Sequence, residues 1–363
     1  MNKSCLIGFL MCSAFSLVVQ AATDGAHITK TISQIERKKG IKRTIQYRPD
    51  GNDFVCVNGK NRYTRALYGG ITDFRIETSD RPVFAAYKPK DSKHICFRLQ
   101  CGNQSIALDS LKFCEARYRA GRRTYRLTDP LLGKGELNIS VLAFPDAEGG
   151  IWRFTMKDMP EGALLHCYIS EIRAKNLSRN GDMGADRADS FDAPQLPKEQ
   201  KHYKLSLDGT TAYIVVEDQE LRLPALVEGT SLYDKSEKWR SEIESSLQIS
   251  TPDPYFNPLG GALAAAADGI WDGKIWLHGA IGWRSQLNGW RAAYIGDFIG
   301  WHDRARTHFD SYAASQVTDV PATIPHPTQD TALHLARSVK KWGTPHYSNG
   351  YICRTPYRKE DRK

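Results

Sequence analysis

Between Ile28 and Val227 the chain consists of short segments in which apolar and polar residues alternate, separated by turns rich in glycine. Alternation puts one set of side chains on a buried face and the other in solvent, as an antiparallel strand requires. The clearest segments are Asp53–Val57, Phe74–Thr78, Pro82–Tyr87, Leu137–Leu142, Ile151–Met156, Leu164–Ile169 and Ala212–Val216. Because no helical pattern interrupts them, the sequence predicts an antiparallel β-sandwich over residues 28–230, with a long exposed loop from Asn176 to Lys204.

The pattern changes after residue 230. Residues 231–254 are charged, compatible with a helix and closed by prolines, so we interpret them as a linker or linker helix. Helical spacing then predicts one helix from Phe256 to Trp271 and a second from Leu287 to Gln316. The residues assigned to their core faces are Phe256, Leu259, Leu263, Ala267 and Ile270 on the first, and Ala292, Ile295, Phe298 and Ile299 on the second. This αα-hairpin opens a helical region over residues 255–363 and makes the chain a multidomain β + α protein.

Residues 1–22 have the order of a secretory signal peptide. Lys3 supplies a basic start, an uncharged run extends from Leu6 to Val19, and Ala21 and Ala22 are the small residues of a cleavage site. The run is shorter than the roughly 18 residues that a membrane-spanning helix needs. We therefore predict a periplasmic or secreted protein with no integral membrane segment after signal cleavage.

The cysteines that remain after this cleavage are Cys56, Cys96, Cys101, Cys114, Cys167 and Cys353. An exported protein meets an oxidising environment, so we expect one or two structural disulfides among them and buried free thiols for the rest. Their spacing fits no zinc pattern, and the chain has no His-Glu-x-x-His segment. The sequence therefore predicts neither a metal site nor another cofactor.

The formal net charge is +9, and much of the excess lies in basic clusters at Arg37–Arg43 and Arg117–Arg126. A basic surface favours anionic partners. For an exported protein we expect a polysaccharide or oligosaccharide, with acidic ones favoured, or an anionic envelope lipid. Nucleic acid is less plausible, because the chain carries no binding motif for it. The alternative is a solvated basic face without a specific ligand.

Three segments of the helical region resemble the opening of a six-hairpin glycosidase toroid: Phe256–Leu263, Trp276–Arg284 and Gly289–Asp297. The resemblance is to secreted bacterial members, whose β-rich first domain is filed as a domain of unknown function, the one numbered 4450 (DUF4450). Asn58–Gly70 and Arg81–Tyr87 look like that domain. The resemblance implies a β-sandwich followed by an (α/α)6 toroid, and as activity the hydrolysis of O-glycosyl bonds in a polysaccharide.

The helical region is too short for a whole toroid. Twelve helices of about 11–12 residues, with their connections, need roughly twice the chain that follows Pro254. We therefore expect an incomplete toroid, truncated after its first hairpin or hairpins. In the family that this chain resembles, the catalytic acid and base usually come from later hairpins, so we expect the short chain to lack that pair.

Tryptophans are concentrated in the hairpin, at Trp271, Trp276, Trp283, Trp290 and Trp301. Aromatic planes stack on the C–H faces of sugar rings, and nearby polar groups bind the hydroxyls. On this basis the predicted substrate-binding residues are Trp276, His278, Trp283, Arg284, Trp290, Arg291 and Tyr294. The alternative is that the tryptophans are large anchors of a hydrophobic core.

Asp297 is the candidate catalytic residue. Helical spacing lays it on one stripe with Trp290, Tyr294, Trp301 and His308. A carboxylate among aromatic rings can act as the general acid of glycoside hydrolysis, whereas the alternative is an ion pair with Arg291 or Arg304. The reaction needs a second carboxylate, and Asp268, Asp272 and Asp303 are the candidates, although no spacing selects one of them.

The sequence favours a carbohydrate-active protein derived from a secreted glycoside hydrolase. The chain has no Gly-x-Ser-x-Gly segment and no phosphate-binding glycine loop, which argues against esterases and nucleotide-dependent enzymes. Two alternatives stay open: a non-catalytic glycan-binding protein, in which the sandwich supplies the binding surface, and an inactive truncated fragment.

Overall fold

The computed structural model describes residues 46–175, 177, 187–277 and 293–313. The strands are β1 Arg48–Asp50, β2 Asp53–Val57, β3 Arg65–Tyr68, β4 Arg75–Thr78, β5 Val83–Tyr87, β6 Lys93–Cys101, β7 Gln104–Ala107, β8 Phe113–Arg119, β9 Arg122–Thr128, β10 Glu136–Ala143, β11 Gly149–Lys157, β12 Leu164–Glu171, β13 Gln200–Ser206, β14 Thr211–Glu217 and β15 Glu220–Arg222. The helices are α1 Leu226–Ser245, α2 Leu259–Gly269 and α3 His302–Ala313, with a short helical segment at 293–298.

The strands form two antiparallel sheets. Sheet A has the order β1-β2-β8-β9-β10-β11-β14-β15, and sheet B has the order β13-β12-β6-β5-β4-β3, with β7 also paired to β6. Buried apolar side chains of both sheets belong to one continuous core. The predicted β-sandwich is confirmed at this level, and each strand segment named from the alternating pattern corresponds to a strand of the structure.

Aromatic rings fill the space between the sheets. Phe84 on β5 of sheet B contacts Trp152 and Tyr125 of sheet A edge to face, with ring centroids 5.6 and 5.7 Å apart. Phe97 on β6 packs in the same way against Phe154 on β11, at 5.6 Å. All five side chains are almost completely buried. The burial of such large apolar rings contributes strongly to the free energy that holds the two sheets together.

A buried ionic cluster joins the sheets at one side of this core. Arg123 on β9 of sheet A donates to the Ser79 carbonyl oxygen, 2.9 Å away, and to the Tyr47 hydroxyl, 2.8 Å away. Its guanidinium lies 3.8 Å from the Asp80 carboxylate, and both side chains are fully buried. Tyr47 in turn donates to Asp80. A buried charge of this kind needs its partners, because an unpaired one would cost several kcal/mol.

Helix α1 covers the outer face of sheet A. Its Tyr233 packs on the apolar side chains Leu142, Ile151 and Val215, and its ring lies 3.9 Å from the Arg153 guanidinium. The Tyr233 hydroxyl is also 2.7 Å from the Ser140 hydroxyl. The helix thus begins before the predicted linker and packs along the sheet, while the division of the chain into domains stays a prediction.

The outer face of sheet B is covered by part of the segment that was predicted to be an exposed loop. Phe191, in the 3-10 turn Ala188–Phe191, is fully buried against Tyr63, Val83 and Tyr87. The same segment ends in strand β13, which begins at Gln200. The exposed-loop prediction from Asn176 to Lys204 is therefore wrong for these residues. The sequence misleads because β13 is an edge strand, so few of its side chains need to be apolar.

The disulfide prediction is wrong for the described part of the chain, where Cys56, Cys96, Cys101, Cys114 and Cys167 are all free thiols. Cys96 and Cys167 lie on neighbouring strands but point to opposite faces, because Cys96 pairs with Tyr168 and Cys167 points into the core. Burial raises the pKa of Cys96 to about 11 and the pKa of Cys114 to about 12, which keeps both thiols protonated. Cys353 lies outside the described residues.

The hairpin also differs from its sequence pattern. The first helix is α2, shorter than predicted, and it buries Gly260, Ala264 and Ala267, whereas Phe256 and Leu263 are half exposed. The second predicted helix is interrupted at Gly300, whose φ of +93° no α-helix accommodates. Small residues form the buried faces of these helices because they allow close packing. At Gly296, for example, an added Cβ would collide with the large Trp276 ring.

Replacing Phe84 by alanine tests the importance of the aromatic core. The change removes a fully buried ring that touches three other rings, and we expect the free energy of unfolding to fall by about 3–5 kcal/mol. Phe298→Ala is the matched control, because the Phe298 side chain is 90% exposed and its loss should change stability by less than about 0.5 kcal/mol. Urea unfolding of both variants makes the measurement, and equal effects would contradict the assignment.

Candidate functional site

The predicted site residues do not form one site in the described structure. Trp276, Tyr294 and Asp297 lie within the described residues, whereas His278, Trp283, Arg284, Trp290 and Arg291 lie outside them. The predicted stripe along the second helix is also divided: Tyr294 and Asp297 are exposed, but His308 is fully buried. The chain turns at Gly300 between them, so one helix face cannot carry all three.

Trp276 is the centre of a small packed cluster. Its side chain is fully buried, its indole N–H donates to the Ala267 carbonyl oxygen at 2.9 Å, and its backbone N–H donates to His308 Nδ1 at 3.0 Å. Its ring is 4.6 Å from that of Trp271. In this arrangement Trp276 packs helix α2 against α3, as expected for a core anchor, and its ring is not open to a ligand.

A buried ion pair joins the same two helices. Arg304 on α3 donates to the Asp268 carboxylate on α2 at 2.6 Å, and its guanidinium lies over the Trp301 ring at 4.6 Å. Burial raises the pKa of Asp268, an effect that Arg304 opposes. Asp268 is thus committed to a structural contact with α3.

Asp297 stands apart from the other candidate carboxylates. It is 57% exposed and lies 2.7 Å from His302 Nδ1, whereas Arg304 pairs with Asp268 instead. Arg291 lies outside the described residues. Asp272 accepts the backbone N–H groups of Lys274 and Ile275, as a turn cap. Asp303 is almost fully exposed and faces Arg306 at 3.6 Å. Each candidate carboxylate in the described hairpin therefore has its own separate partner.

The basic cluster at residues 117–126 does not form a free anion-binding surface. Each of its arginines faces a carboxylate: Arg117 pairs with Asp50, Asp53 and Glu115, Arg119 with Glu244, Arg122 with Glu237, Arg123 with Asp80, and Arg126 with Glu115 and Glu136. Arg119 and Arg122 bind helix α1 in this way. The expectation of an anion-attracting surface is wrong for this cluster, because its charge is used internally. The cluster at Arg37–Arg43 lies outside the described residues.

A different basic site, which the sequence did not indicate, lies at one end of sheet B. It is a cleft of about 750 Å3 at the end of β5, the start of β6 and the end of β12. Its apolar walls include Leu177, Pro194 and Leu196, and the Leu196 side chain is 88% exposed. The volume falls within the range of about 300–1,000 Å3 that is typical of small-molecule sites. We call it the lysine cleft.

The lysine cleft has a surplus of positive charge. Its lining contains Lys90, Lys93, Arg173, Lys175 and Lys198 but only two acidic residues, Asp91 and Glu171. Lys93 pairs with Asp91 at 2.6 Å, and Arg173 faces Asp189 at 3.4 Å. Among the described residues no carboxylate lies within ion-pair distance of Lys90, Lys175 or Lys198, all of which are exposed. These ammonium groups are available to an anionic ligand.

Glu171 stabilises the cleft wall, and its carboxylate forms no described ion pair with Lys90, Lys175 or Lys198. Its carboxylate accepts the backbone N–H groups of Lys198 at 2.6 Å and Glu199 at 3.2 Å. Burial raises the pKa of Glu171, but these amide donors, together with its own backbone N–H and the charge of Lys93, outweigh that effect and bring the pKa below its ordinary value. The carboxylate is therefore ionised and holds the chain that carries Lys198 against the end of β12.

Residues 89–216 match the protein family described as a domain of unknown function, DUF4450. This match covers less than half of the chain, from just before β6 to the end of β14, and includes every residue that lines the lysine cleft except Tyr87. It confirms the DUF4450 part of the sequence resemblance, whereas the six-hairpin glycosidase part stays a prediction. No curated protein matches the chain.

Two further findings bear on the kind of site. No group of three or more His, Cys, Asp or Glu side chains is placed to hold a metal ion in the part of the chain that the structure describes. None of the helices described has the length and apolar character that a membrane span requires.

His308 should make the stability of the chain depend on pH. Loss of hydration lowers its pKa from 6.5 to about 4, against a smaller opposing effect of Asp272. Between these two pH values the unfolded state binds a proton that the folded state does not. The free energy of unfolding therefore decreases by up to about 3 kcal/mol as the pH is lowered from 6.5 to 4. In His308→Asn, whose amide oxygen can still accept the Trp276 N–H, we expect this part of the pH dependence to disappear.

The measurement is the urea midpoint of the wild type and of His308→Asn from pH 7 to pH 4. The two proteins share every other titratable side chain, so the difference between the two curves isolates His308. Parallel curves over the whole range would show that His308 is not held in its neutral form.

Proposed function

We propose that this is a carbohydrate-active protein whose β-sandwich binds an acidic oligosaccharide in the lysine cleft. The observation that carries the proposal is the combination of a ligand-sized cleft with three lysines that have no carboxylate partner within the described residues. An acidic sugar carries an anionic carboxylate or sulfate group on a ring whose C–H face is apolar. The lysines of the cleft can pair with the anion, and its apolar walls can contact the ring. The predicted export of the chain would bring it to such polysaccharides.

The electrostatics of the cleft fit recognition of a flexible polyanion. Lysine ammonium groups are compact charges on flexible stems, so they follow a chain of acidic groups without demanding one geometry. Exposed charges of this kind contribute modestly to affinity and are screened by salt. The cleft should therefore bind by several weak contacts, with an affinity that falls as ionic strength rises.

The apolar part of the cleft supports a sugar rather than a free inorganic anion. Leu177, Pro194 and Leu196 supply walls that a small ion would not contact. Leu196 is of special interest because 88% of its surface is exposed, which is a large apolar exposure beside lysines. A sugar ring that covered it would bury apolar area that neither sulfate nor phosphate can bury.

Hydrolysis remains part of the proposal through the family that the helical region resembles, with Asp297 as its candidate acid. The described residues favour binding over catalysis, because Asp297 is exposed beside His302 and the other candidate carboxylates have separate partners. Glycoside hydrolysis requires two carboxyl groups about 5–9.5 Å apart across a bound sugar. We therefore place the glycan-binding role first and a parent hydrolase activity second.

Neutralising the lysines of the cleft tests the proposal. We expect Lys90→Gln, Lys175→Gln and Lys198→Gln together to weaken binding of alginate, polygalacturonate or chondroitin sulfate at least about tenfold at low salt, because three charge contacts are lost. The matched control replaces three exposed lysines elsewhere on the sandwich, Lys60, Lys134 and Lys157, by glutamine.

Both triple variants lose the same net charge, so a general charge effect would weaken them equally. Affinity electrophoresis and calorimetry with the full chain provide the readout, with neutral xylan as the reference polymer. If wild type binds none of the acidic polymers, or if the control loses as much affinity as the cleft variant, the lysine cleft is not the binding site.

A further inference from the structure

A pair of histidines forms a flat plate on the outer face of sheet B, away from the lysine cleft. His166 on β12 and His202 on the edge strand β13 have Nδ1 and Nε2 atoms 2.9 Å apart, ring centroids 5.1 Å apart and ring planes within 10°. The centroid separation nearly equals the N···N distance plus the two ring radii. The imidazoles therefore lie side by side in almost one plane, edge to edge, and we call them the imidazole plate.

A chain of hydrogen bonds fixes the proton positions of the plate. His166 Nε2 lies 2.6 Å from the Gln100 Oε1 acceptor, and the amide nitrogen of Gln100 donates to the Gly102 carbonyl oxygen at 3.0 Å. His166 must then carry its proton on Nε2 and accept at Nδ1 from His202 Nε2–H. This arrangement holds both rings in plane and leaves His202 Nδ1 as an acceptor at the surface.

The imidazole plate requires His166 to be neutral, and its surroundings favour that form. The pKa of His166 is lowered, first by loss of hydration and then by the charges of His202, Lys204 and Arg98. A neutral His166 keeps its Nδ1 lone pair available for His202. Protonation of both rings would place two N–H donors against each other and break the plate.

The surroundings of the plate provide a second ring and positive charge. Tyr168 stacks on His202 with centroids 4.7 Å apart and planes within 9°. In the strand register Arg98 of β6 and Lys204 of β13 lie directly opposite His166, one on each side. His202, Arg98 and Lys204 are exposed, and no described carboxylate lies within ion-pair distance of either cation.

We propose that the imidazole plate is a second glycan subsite, at which the apolar face of a sugar ring stacks on the coplanar imidazoles while its acidic substituent faces Arg98 or Lys204. A flat aromatic surface suits the C–H face of a pyranose, and the hydrogen-bonded pair offers about the area of an indole ring. The choice of an acidic sugar as ligand rests on the proposed function of the lysine cleft.

The two subsites lie towards opposite ends of strand β12, since the cleft includes Glu171 and the plate includes His166. Five residues of extended strand separate them by roughly 17 Å. One long polysaccharide could therefore contact both, and binding at two linked sites is tighter than at either alone. A dimer of sugars is too short to do so.

Stacking is tested by two substitutions at one position. His202→Ser removes half of the plate and should weaken binding of acidic hexamers roughly three- to tenfold, whereas His202→Phe retains a flat ring and should stay within about twofold of wild type. Gln200→Ala, two residues away on the same face of β13, is the control and should leave affinity unchanged. Alginate, oligogalacturonate and chondroitin sulfate hexamers are the probes, measured by calorimetry on the full chain.

Each outcome decides the matter. Weakening in His202→Ser alone supports the plate. If wild type binds a hexamer and the cleft variant loses binding, but His202→Ser binds like wild type, the second subsite is overturned while the lysine cleft stands. Equal loss in His202→Ser and His202→Phe would show that the hydrogen bond and not stacking matters, which also overturns it. If wild type binds no hexamer, the proposed function fails first, and the plate has no glycan to bind.

Discussion

The apolar core between the two sheets, with Phe84 packed against Trp152 at its centre, is the constraint on which the remaining structure depends. A strand that places alternate side chains in this core must point the others outward. Once Leu165, Cys167 and Ile169 of β12 are committed to the core, His166 and Tyr168 must point outward. The imidazole plate therefore follows from the core packing. A register shift of one residue would bury the imidazoles and expose the core leucine and isoleucine.

The two sheets differ in how their positively charged side chains are paired. Between sheet A and helix α1, arginines pair with carboxylates and fasten the two elements together, as Arg119 does with Glu244 and Arg122 with Glu237. At sheet B the exposed Lys90, Lys175 and Lys198 of the lysine cleft have no described carboxylate partner, and neither do Arg98 and Lys204 beside the imidazole plate. The net positive charge of the chain is therefore informative only after paired and unpaired cations are separated. Unpaired lysines also lie elsewhere, as Lys157 does on sheet A, so the proposal for sheet B rests on their combination with a cleft.

The sequence predicted the strands well because alternation directly reports a half-buried face. It failed where burial does not follow that pattern. Strand β13 lies at the edge of its sheet, so its sequence resembles that of a loop. Helix α2 and the segment at 293–298 bury small residues, such as Ala264 and Gly296, instead of large ones. The tryptophan-rich hairpin suggested a sugar site, but Trp276 is a core anchor. The lysine cleft joins residues 87–93, 171–175 with Leu177, and 194–198, which are far apart in sequence, so only the fold could reveal it.

Hydrogen–deuterium exchange of the full chain, with and without an acidic hexasaccharide, tests most directly whether sheet B is the glycan-binding face. The account predicts slower exchange in residues 87–93, 171–175 and 194–198, with no change in helix α1 over sheet A. Protection confined to residues 259–313 would move the site to the helical hairpin and contradict the account. So would a bound hexasaccharide that leaves exchange at the end of sheet B unaltered.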